Sequence, residues 1–207
     1  KWQTAEDYLS GNVVQKLEEV RSIAQEDPSY ERNVKALEKV QPEPLTSADI
    51  TAQFGAPWVP TDVYAQFLRE VMGVEAKVKR IPISGEINVE MGFASREART
   101  KFATDGATLA QVVQAAINNR RVTIHDRARS QQEKKNVVDA DATTAANVKV
   151  EAVKEAFSGD IESGVEGWVW QDPARAAELE AIYNRTYNNL AARKFDGSVI
   201  SIRNTQP

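Results

Sequence analysis

Apolar residues recur every three or four positions along most of this chain, and this spacing constrains its fold more than any other feature. The spacing first appears at Val13, Leu17, Val20 and Ala24, which it places on one face of a helix. It returns in later segments that Pro, Gly or capping residues bound, at residues 30–40, 61–73, 107–118, 144–157 and 173–192. The sequence therefore predicts a mainly α-helical protein.

One interval alternates apolar with polar residues instead. The alternation is interrupted by Ser84-Gly85 and runs through Ile81, Ile83, Ile87, Val89 and Met91. A period of two is typical of β-strands, and a Gly-containing pair between two such runs indicates a turn. We therefore predict a β-hairpin that pairs residues 77–83 with residues 86–92. The expected fold class is mainly α (α+β), in which helical hairpins flank a small antiparallel β-hairpin or sheet in the middle.

A second irregularity lies in "EDYLSGNVVQKLEE" (residues 6–19), where Ser10-Gly11-Asn12 interrupts a helical segment. Because glycine inside a helix costs roughly 1 kcal/mol relative to alanine, we predict one helix ending near Leu9 and a second starting at once. The N-cap of the second helix would be Ser10 or Asn12. If Asn12 is the cap, Gln15 can reach back to it as in a capping box.

These patterns divide the chain into four successive parts, which we expect to form one composite domain. They are a helical N-terminal part (1–73), a small β-containing part (74–127), a polar mobile loop (128–143) and a C-terminal helical part that leads into a following domain (144–207). The chain begins with Lys1 instead of Met, so we expect it to be a processed product or a piece of a longer protein.

Composition excludes several kinds of catalytic site. The chain has no cysteine, so a disulfide, a thiolate nucleophile and a zinc–thiolate site are impossible. Its one histidine, His125, precedes Asp126 in "RVTIHD" (121–126), which we predict to be a short strand. A His–Asp pair is conceivable there, but a strand histidine without a catalytic role is the favoured interpretation. No phosphate-binding or dinucleotide-binding glycine motif and no nucleophile elbow is present. We therefore predict that the chain is not an enzyme and has no catalytic residue, metal site or cofactor.

Positive charge is concentrated in two clusters, although the net charge of the chain is −4. The candidate nucleic-acid-binding residues in these clusters are Lys77, Lys79, Arg80, Arg120, Arg121, Arg127 and Arg129. Lys and Arg bind phosphates through counterion release, so the two clusters would form one patch for the DNA backbone if their flanking strands pair. The alternatives are a solvated face around a loop and an intramolecular contact with the acidic segment 151–180.

Two aromatic motifs lie near the C-terminal end. "WVW" (168–170) is predicted to anchor the core at the entrance of a helix that Asp172-Pro173 begins. In "YNRTYNN" (183–189), Tyr183 and Tyr187 lie one helical turn apart. The favoured interpretation packs both rings into the core, and the alternative stacks them on unpaired bases.

Several strings occur together in an order that resembles a known class of proteins. They are "YLSGNVVQKL" (8–17), "NVKALEKVQPEPLTSADI" (33–50), "FGAPWVP" (54–60), "WVWQDPARAAEL" (168–179), "YNRTYNN" (183–189) and "RKFDGSVI" (193–200). In this set the chain resembles the segment between the methylase and helicase parts of very large phage- and plasmid-borne proteins. Those proteins join an adenine-specific DNA methylase to a Swi/Snf-like superfamily II helicase, and phage antirestriction proteins are one branch.

The resemblance implies a parent protein that acts on DNA and hydrolyses ATP, with this chain as a non-catalytic connecting or accessory domain. Its partners would be the flanking methylase and helicase domains and, weakly, the DNA backbone, with no membrane. The helicase nucleotide-binding motifs would lie beyond Pro207, and the methylase motif before Lys1. The expected location is the cytoplasm of a bacterial host or a phage particle. The alternative is a structural module that spaces and docks neighbouring domains, or a virion-associated fragment.

Overall fold

A computed structural model describes residues 3–160 and 164–194 of the chain. The chain divides into two compact units that do not follow chain order. One unit comprises the residues up to Thr46 together with those from Glu180 onward, and the other comprises Ser47–Leu179. The four successive parts predicted from the sequence therefore do not coincide with these units, because contacts between distant segments define the units.

Helices dominate the described residues. In chain order they are α1 (Ala5–Tyr8), α2 (Val13–Glu26), α3 (Glu31–Glu38), α4 (Thr61–Met72), α5 (Arg96–Phe102), α6 (Leu109–Ile117), α7 (Arg127–Glu133), α8 (Ala140–Ser158), α9 (Trp168–Gln171) and α10 (Pro173–Tyr187). The strands are β1 (Gly11–Asn12), β2 (Ala76–Arg80), β3 (Ile87–Met91), β4 (Gly159–Asp160), β5 (Val165–Glu166) and β6 (Leu190–Ala191). The strands form antiparallel two-stranded sheets, β1 with β6, β2 with β3 and β4 with β5. This confirms the mainly α (α+β) fold class.

The first unit contains the predicted helical hairpin. Helices α2 and α3, joined by a 3₁₀ turn at Pro28–Tyr30, bury an apolar cluster made of Val13, Leu17, Val20, Ala24, Val34 and Leu37. Asn12 is the N-cap of α2, because its Oδ1 accepts a hydrogen bond from the Gln15 backbone N–H at 2.9 Å. Gln15 does not complete a capping box, since its side chain donates to Glu19 at 2.8 Å instead.

The C-terminal half of α10 corrects the interpretation of "YNRTYNN". The Tyr183 and Tyr187 rings lie 5.3 Å apart, and Tyr187 is 52% exposed, so this pair is not a core anchor. The side-chain amide of Asn184 is held more firmly than the two tyrosine rings. It accepts from the Leu45 N–H at 2.8 Å and donates to the Leu45 carbonyl at 2.7 Å. This two-bond clamp fixes the extended segment around Leu45.

The core of the second unit is built around clustered aromatic rings. Phe54, Tyr64, Phe67, Phe157 and Trp168 pack with ring centroids 5.1 to 5.9 Å apart, in edge-on and tilted arrangements. Such pairs add about 0.5–1.5 kcal/mol each beyond the area that they bury. The predicted role of "WVW" as a core anchor is confirmed, since Trp168 and Val169 are buried.

The predicted β-hairpin is present but shorter than expected. Strands β2 and β3 pair in the register Val78↔Val89, and their half-buried and exposed residues alternate. Ile81 and Ile83 lie beyond β2 in the connecting loop, and Ile83 is fully exposed. The ladder ends here because Pro82 has no N–H to donate, and because Gly85, at φ +71°, turns the chain back.

The free edge of β3 is covered by side chains at the C-terminal end of α6, Gln114 in the helix and Asn118 just after it, instead of a third strand. Asn118 Oδ1 accepts from the Ile87 N–H, and Asn118 Nδ2 donates to the Ile87 carbonyl, both at 2.8 Å. Gln114 extends the pattern by accepting from the Val89 N–H at 3.0 Å. An edge strand exposes unpaired backbone groups, and these amides satisfy them while joining the hairpin to α6.

A similar clamp explains why residues 121–126 are not the strand that their composition predicts. The amide of Asn147, on α8, accepts from the Val122 N–H at 3.0 Å and donates to the Val122 carbonyl at 2.8 Å. Thr143 accepts from the Ile124 N–H at 3.0 Å. Backbone groups that would pair with a strand are therefore bonded to helix side chains, and only an isolated bridge joins His125 to Val138.

The loop predicted over residues 128–143 is wrong in secondary structure. Helix α7 begins one residue before it and runs through its first part, capped by Asp126, whose Oδ1 accepts from the Arg129 N–H at 3.0 Å. Helix α8 already begins at Ala140, capped by Asp139. The segment is polar because α7 buries none of its side chains, and this concealed its helical character.

Substituting Asn118→Asp tests the clamp on β3. Aspartate keeps the acceptor for the Ile87 N–H but loses the donor to the Ile87 and Gln114 carbonyls. Since Ile87 is buried, we expect the free energy of unfolding to fall by about 1–3 kcal/mol, measured by urea denaturation. The matched control is Asn88→Asp on the exposed face of β3, for which we expect less than about 0.5 kcal/mol. Equal losses would contradict the structural role of the clamp.

Candidate nucleic-acid interface

The exposed face of the hairpin carries two of the predicted cations. Lys77 and Lys79 are two residues apart on β2, so their side chains leave the same face of the sheet. Both are exposed, and within residues 3–160 and 164–194 no ion pair or hydrogen bond engages either ammonium group. Their cross-strand neighbours are Glu90 and Asn88, respectively, so one acid faces the two cations.

Arg80, the third cation of this cluster, turns inward and is not part of the exposed face. Its guanidinium donates to the carbonyls of Ala56 at 3.2 Å and Val59 at 3.4 Å. The Tyr64 hydroxyl donates to the same Ala56 carbonyl at 2.9 Å. Burial raises the pKa of the Tyr64 phenol, and the nearby Arg80 charge opposes that rise. We therefore assign Arg80 to the support of the loop before α4, which corrects its place among the candidate residues.

The second basic cluster is only partly joined to the first. Arg120 Nη1 lies 2.9 Å from Glu86 Oε1, at the turn end of the hairpin, close to where Asn118 holds Ile87. This ion pair neutralises Arg120, so the arginine helps to position the loop. Arg121, next in the chain, is exposed and has no polar contact among the described residues. Of these two arginines, Arg120 is the one that contacts the turn end of the hairpin.

Arg127 and Arg129 lie farther along, on α7. After Arg121 the backbone runs along α8 toward the N-terminus of that helix, held first by Asn147 and then by Thr143. Asn147 and Thr143 are four positions apart on α8, which corresponds to a rise of about 6 Å along the helix axis, and α7 follows later in the chain. Arg129 also pairs with Glu133 at 3.4 Å. Arg127 and Arg129 thus belong to α7, a different element from the hairpin that carries Lys77 and Lys79.

The ion pairs of the second cluster differ from the predicted alternative, an intramolecular contact with the acidic segment 151–180. Arg120 pairs with Glu86 and Arg129 pairs with Glu133, and both glutamates lie outside that segment. Within that segment, Lys154 donates to Glu151 at 3.0 Å and to Asn119 Oδ1 at 2.8 Å. The Lys154–Asn119 bond thus adds to the bonds by which Asn147 and Thr143 of α8 hold Val122 and Ile124.

One feature of the hairpin was missed by the sequence analysis. Its loop, residues 81–86, presents Ile81, Pro82 and Ile83 to solvent, and we call this loop the hairpin tip. Alternation had placed both isoleucines in a strand with one buried face. Pro82 could have indicated the early end of the strand, because proline has no N–H to donate to the hydrogen-bond ladder of a sheet. The tip therefore adds an apolar element beside Lys79.

The described residues hold no group of three potential metal ligands, and none of their helices has the length and apolar composition needed to cross a bilayer. His125 is exposed, and the carboxylate of Asp126 accepts from the Arg129 backbone as the cap of α7. Asp126 is therefore engaged in capping a helix, and the conceivable His–Asp pair does not form.

Comparison with known proteins gives one family. The family DUF8437, described as a domain of unknown function, matches residues 53–189, about two thirds of the chain. That range contains the hairpin, the loop after α6 and the whole of α7 and α8. No curated protein and no solved structure matches the chain.

Proposed function

We propose that this chain, which belongs to the DUF8437 family, is a non-catalytic accessory domain. It contacts the DNA backbone through the exposed cations Lys77, Lys79 and Arg121. The observation that carries the proposal is the pair of solvent-exposed, unpaired lysines on one face of a two-stranded sheet.

The geometry of this face suits phosphates better than a small anionic ligand. Residues i and i+2 of a strand lie about 7 Å apart, so flexible Lys77 and Lys79 side chains can reach neighbouring phosphates. The face is open, and its cations do not converge on one point as they would around a single bound anion. Cations in this arrangement increase affinity and fix the position of the protein on the duplex, but they do not read the base sequence.

The affinity should be low. Each neutralised phosphate contributes about 0.9 to the slope of log K against log salt, so three cations give a slope near −2.7. The net charge of −4 and the acid Glu90 oppose binding. At physiological salt the Debye length of about 8 Å limits the effect of distant acids, so the local face dominates.

The decisive variant is Lys77→Glu/Lys79→Glu, measured by fluorescence anisotropy with a labelled duplex at several salt concentrations. We expect wild type to bind with micromolar or weaker affinity, and the variant to bind about tenfold or more weakly with a flatter salt slope. The matched control is Lys35→Glu/Lys39→Glu on and just after α3, which makes the same charge change at exposed lysines elsewhere. The control should keep most of the affinity.

Absence of wild-type binding at low salt, or an equal loss in both double variants, would contradict the proposal. A structural module that spaces and docks neighbouring domains would then be the better assignment.

The resemblance to the connecting region of phage- and plasmid-borne methylase–helicase proteins supports the same proposal from a different direction. In such a parent, this chain would hold the duplex beside a DNA-translocating motor, in a bacterial host or a phage particle. Weak, sequence-independent contacts suit that role, because a translocating motor must release each phosphate that it passes. The sequences that flank this chain in its parent would test this placement.

A further inference from the structure

We propose that the hairpin tip is a wedge, which inserts Ile83 and the adjoining Ile81 and Pro82 between base pairs of the duplex that the lysines hold. This inference rests on the proposed function and names what the apolar part of the same surface does there. Proteins that bend DNA commonly insert apolar side chains, including Ile and Pro, into base steps and unstack them partially.

Exposure singles out the tip. Ile83 is 100% exposed and Ile81 is 42% exposed, with exposed Pro82 between them. Isolated apolar residues on a surface are ordinary. Three consecutive apolar residues at the end of a two-stranded ribbon are a more specific arrangement, because the ribbon presents them ahead of the surface that carries its cations.

The tip is also ordered by its own hydrogen bonds. The Ile81 N–H donates to the Glu86 carbonyl at 2.8 Å, and the Gly85 N–H donates to the Ile81 carbonyl at 2.8 Å. Ser84 Oγ accepts from the Glu86 N–H at 3.2 Å, and Pro82 fixes its own φ. A loop held in this way loses little conformational entropy on insertion, so most of the contact energy remains available for unstacking.

Charge favours DNA over an apolar protein surface as the occupant. Lys79 lies two residues before the tip on the exposed face of β2, so a cation adjoins the apolar residues. Glu86 is the one acid in the tip sequence, and Arg120 pairs with it at 2.9 Å. A wedge between stacked bases enters from a groove lined by phosphates, where flanking cations stabilise the complex.

The test uses a duplex of about 20 base pairs, with a central 2-aminopurine and a donor–acceptor dye pair at its ends; a duplex this short is stiff, so bending needs deformation. Wild type should increase 2-aminopurine fluorescence and shorten the end-to-end distance. Ile83→Ser should abolish both signals, reduce affinity about fivefold or less, and leave the salt slope unchanged. The control is Phe93→Ser, which alters an equally exposed residue past the opposite end of the hairpin and should leave both signals intact.

Each outcome separates the two ideas. If wild type does not bind the duplex, the proposed function fails, and the wedge fails with it. If wild type binds but neither signal appears, or if Ile83→Ser retains both, the wedge is wrong and the backbone contact stands. If Ile83→Ser instead abolishes self-association seen by sedimentation, with no effect on the duplex, the tip is a protein contact and the assignment to DNA is overturned.

Discussion

Gly55→Ala should lower the free energy of unfolding by about 4 kcal/mol or more, a loss that few single substitutions produce. Gly55 has φ +95°, and an added Cβ would overlap the carbonyl oxygen of Ile117 and lie 2.8 Å from the carbonyl carbon. Both clashing atoms belong to backbone, so a change of rotamer cannot relieve the contact. Ile117 ends α6, and its displacement would disturb the neighbouring Asn118 clamp on β3.

The matched control for this prediction is Gly85→Ala. Gly85 also has a positive φ, +71°, but an added Cβ would meet nothing within 4 Å. Its substitution carries only the backbone strain of a left-handed residue, about 1–2 kcal/mol. Urea denaturation followed by circular dichroism measures both variants. Similar losses for the two would show that Gly55 is required for its φ alone, and not for the close approach to α6.

The second large effect is expected at Arg175, the one charged side chain that is buried among the described residues. Its guanidinium stacks 3.6 Å from the centroid of the Trp168 ring and donates to the carbonyls of Trp168 and Val169. These carbonyls belong to α9, a helix of one turn whose carbonyl groups need partners from outside it. Arg175 therefore satisfies the backbone that anchors Trp168 in the aromatic core.

Glu70 balances the buried charge. Its carboxylate lies 3.9 Å from Arg175 Nη1 and accepts a hydrogen bond from Trp168 Nε1 at 3.0 Å. Burial lowers the pKa of Arg175, while the Asp172 and Glu70 carboxylates oppose that change. A hydrogen bond from Gln66 is the main cause that lowers the pKa of Glu70, and the Trp168 bond adds to it. Glu70 therefore remains ionised, opposite the guanidinium, to a lower pH than a free glutamate.

Arg175→Ala should cost about 3–5 kcal/mol of unfolding free energy, since it removes the cation–π contact and leaves two buried carbonyls without a donor. Arg175→Lys should recover only part of the loss, because an ammonium group cannot reproduce the planar fork of donors. The control is Arg129→Ala on α7, whose ion pair with Glu133 is exposed and should cost less than about 1 kcal/mol. Urea denaturation, followed by tryptophan fluorescence, measures all three. A loss at Arg175 no larger than that at Arg129 would contradict its structural role.

Local sequence was sufficient to predict the elements whose causes are local. The apolar spacing of α2 and the Asp172-Pro173 start of α10 both use residues within one turn of each other. The left-handed Gly73 that ends α4 is another such signal. A helix cap or a turn depends on a few adjacent side chains, so the chain carries this information wherever it folds.

Tertiary structure alone decided which polar residues became structural. Asn118, Asn147 and Asn184 each clamp a backbone segment distant in sequence, and nothing in their own helices marks them for it. Arg80 follows Lys79 on β2, so its side chain leaves the opposite face of the sheet, and the carbonyls of the loop before α4 fix it there while Lys79 stays in solvent.

The physical reason is that burial of a polar group depends on the partner that arrives from elsewhere in the chain. A buried amide or guanidinium is stable only when its hydrogen bonds are satisfied. The sequence by itself therefore determined the longer amphipathic helices, the hairpin and the clusters of charge, but not the polar helix α7. The contacts between segments determined which cations and amides hold the fold together and which, like Lys77 and Lys79, remain exposed.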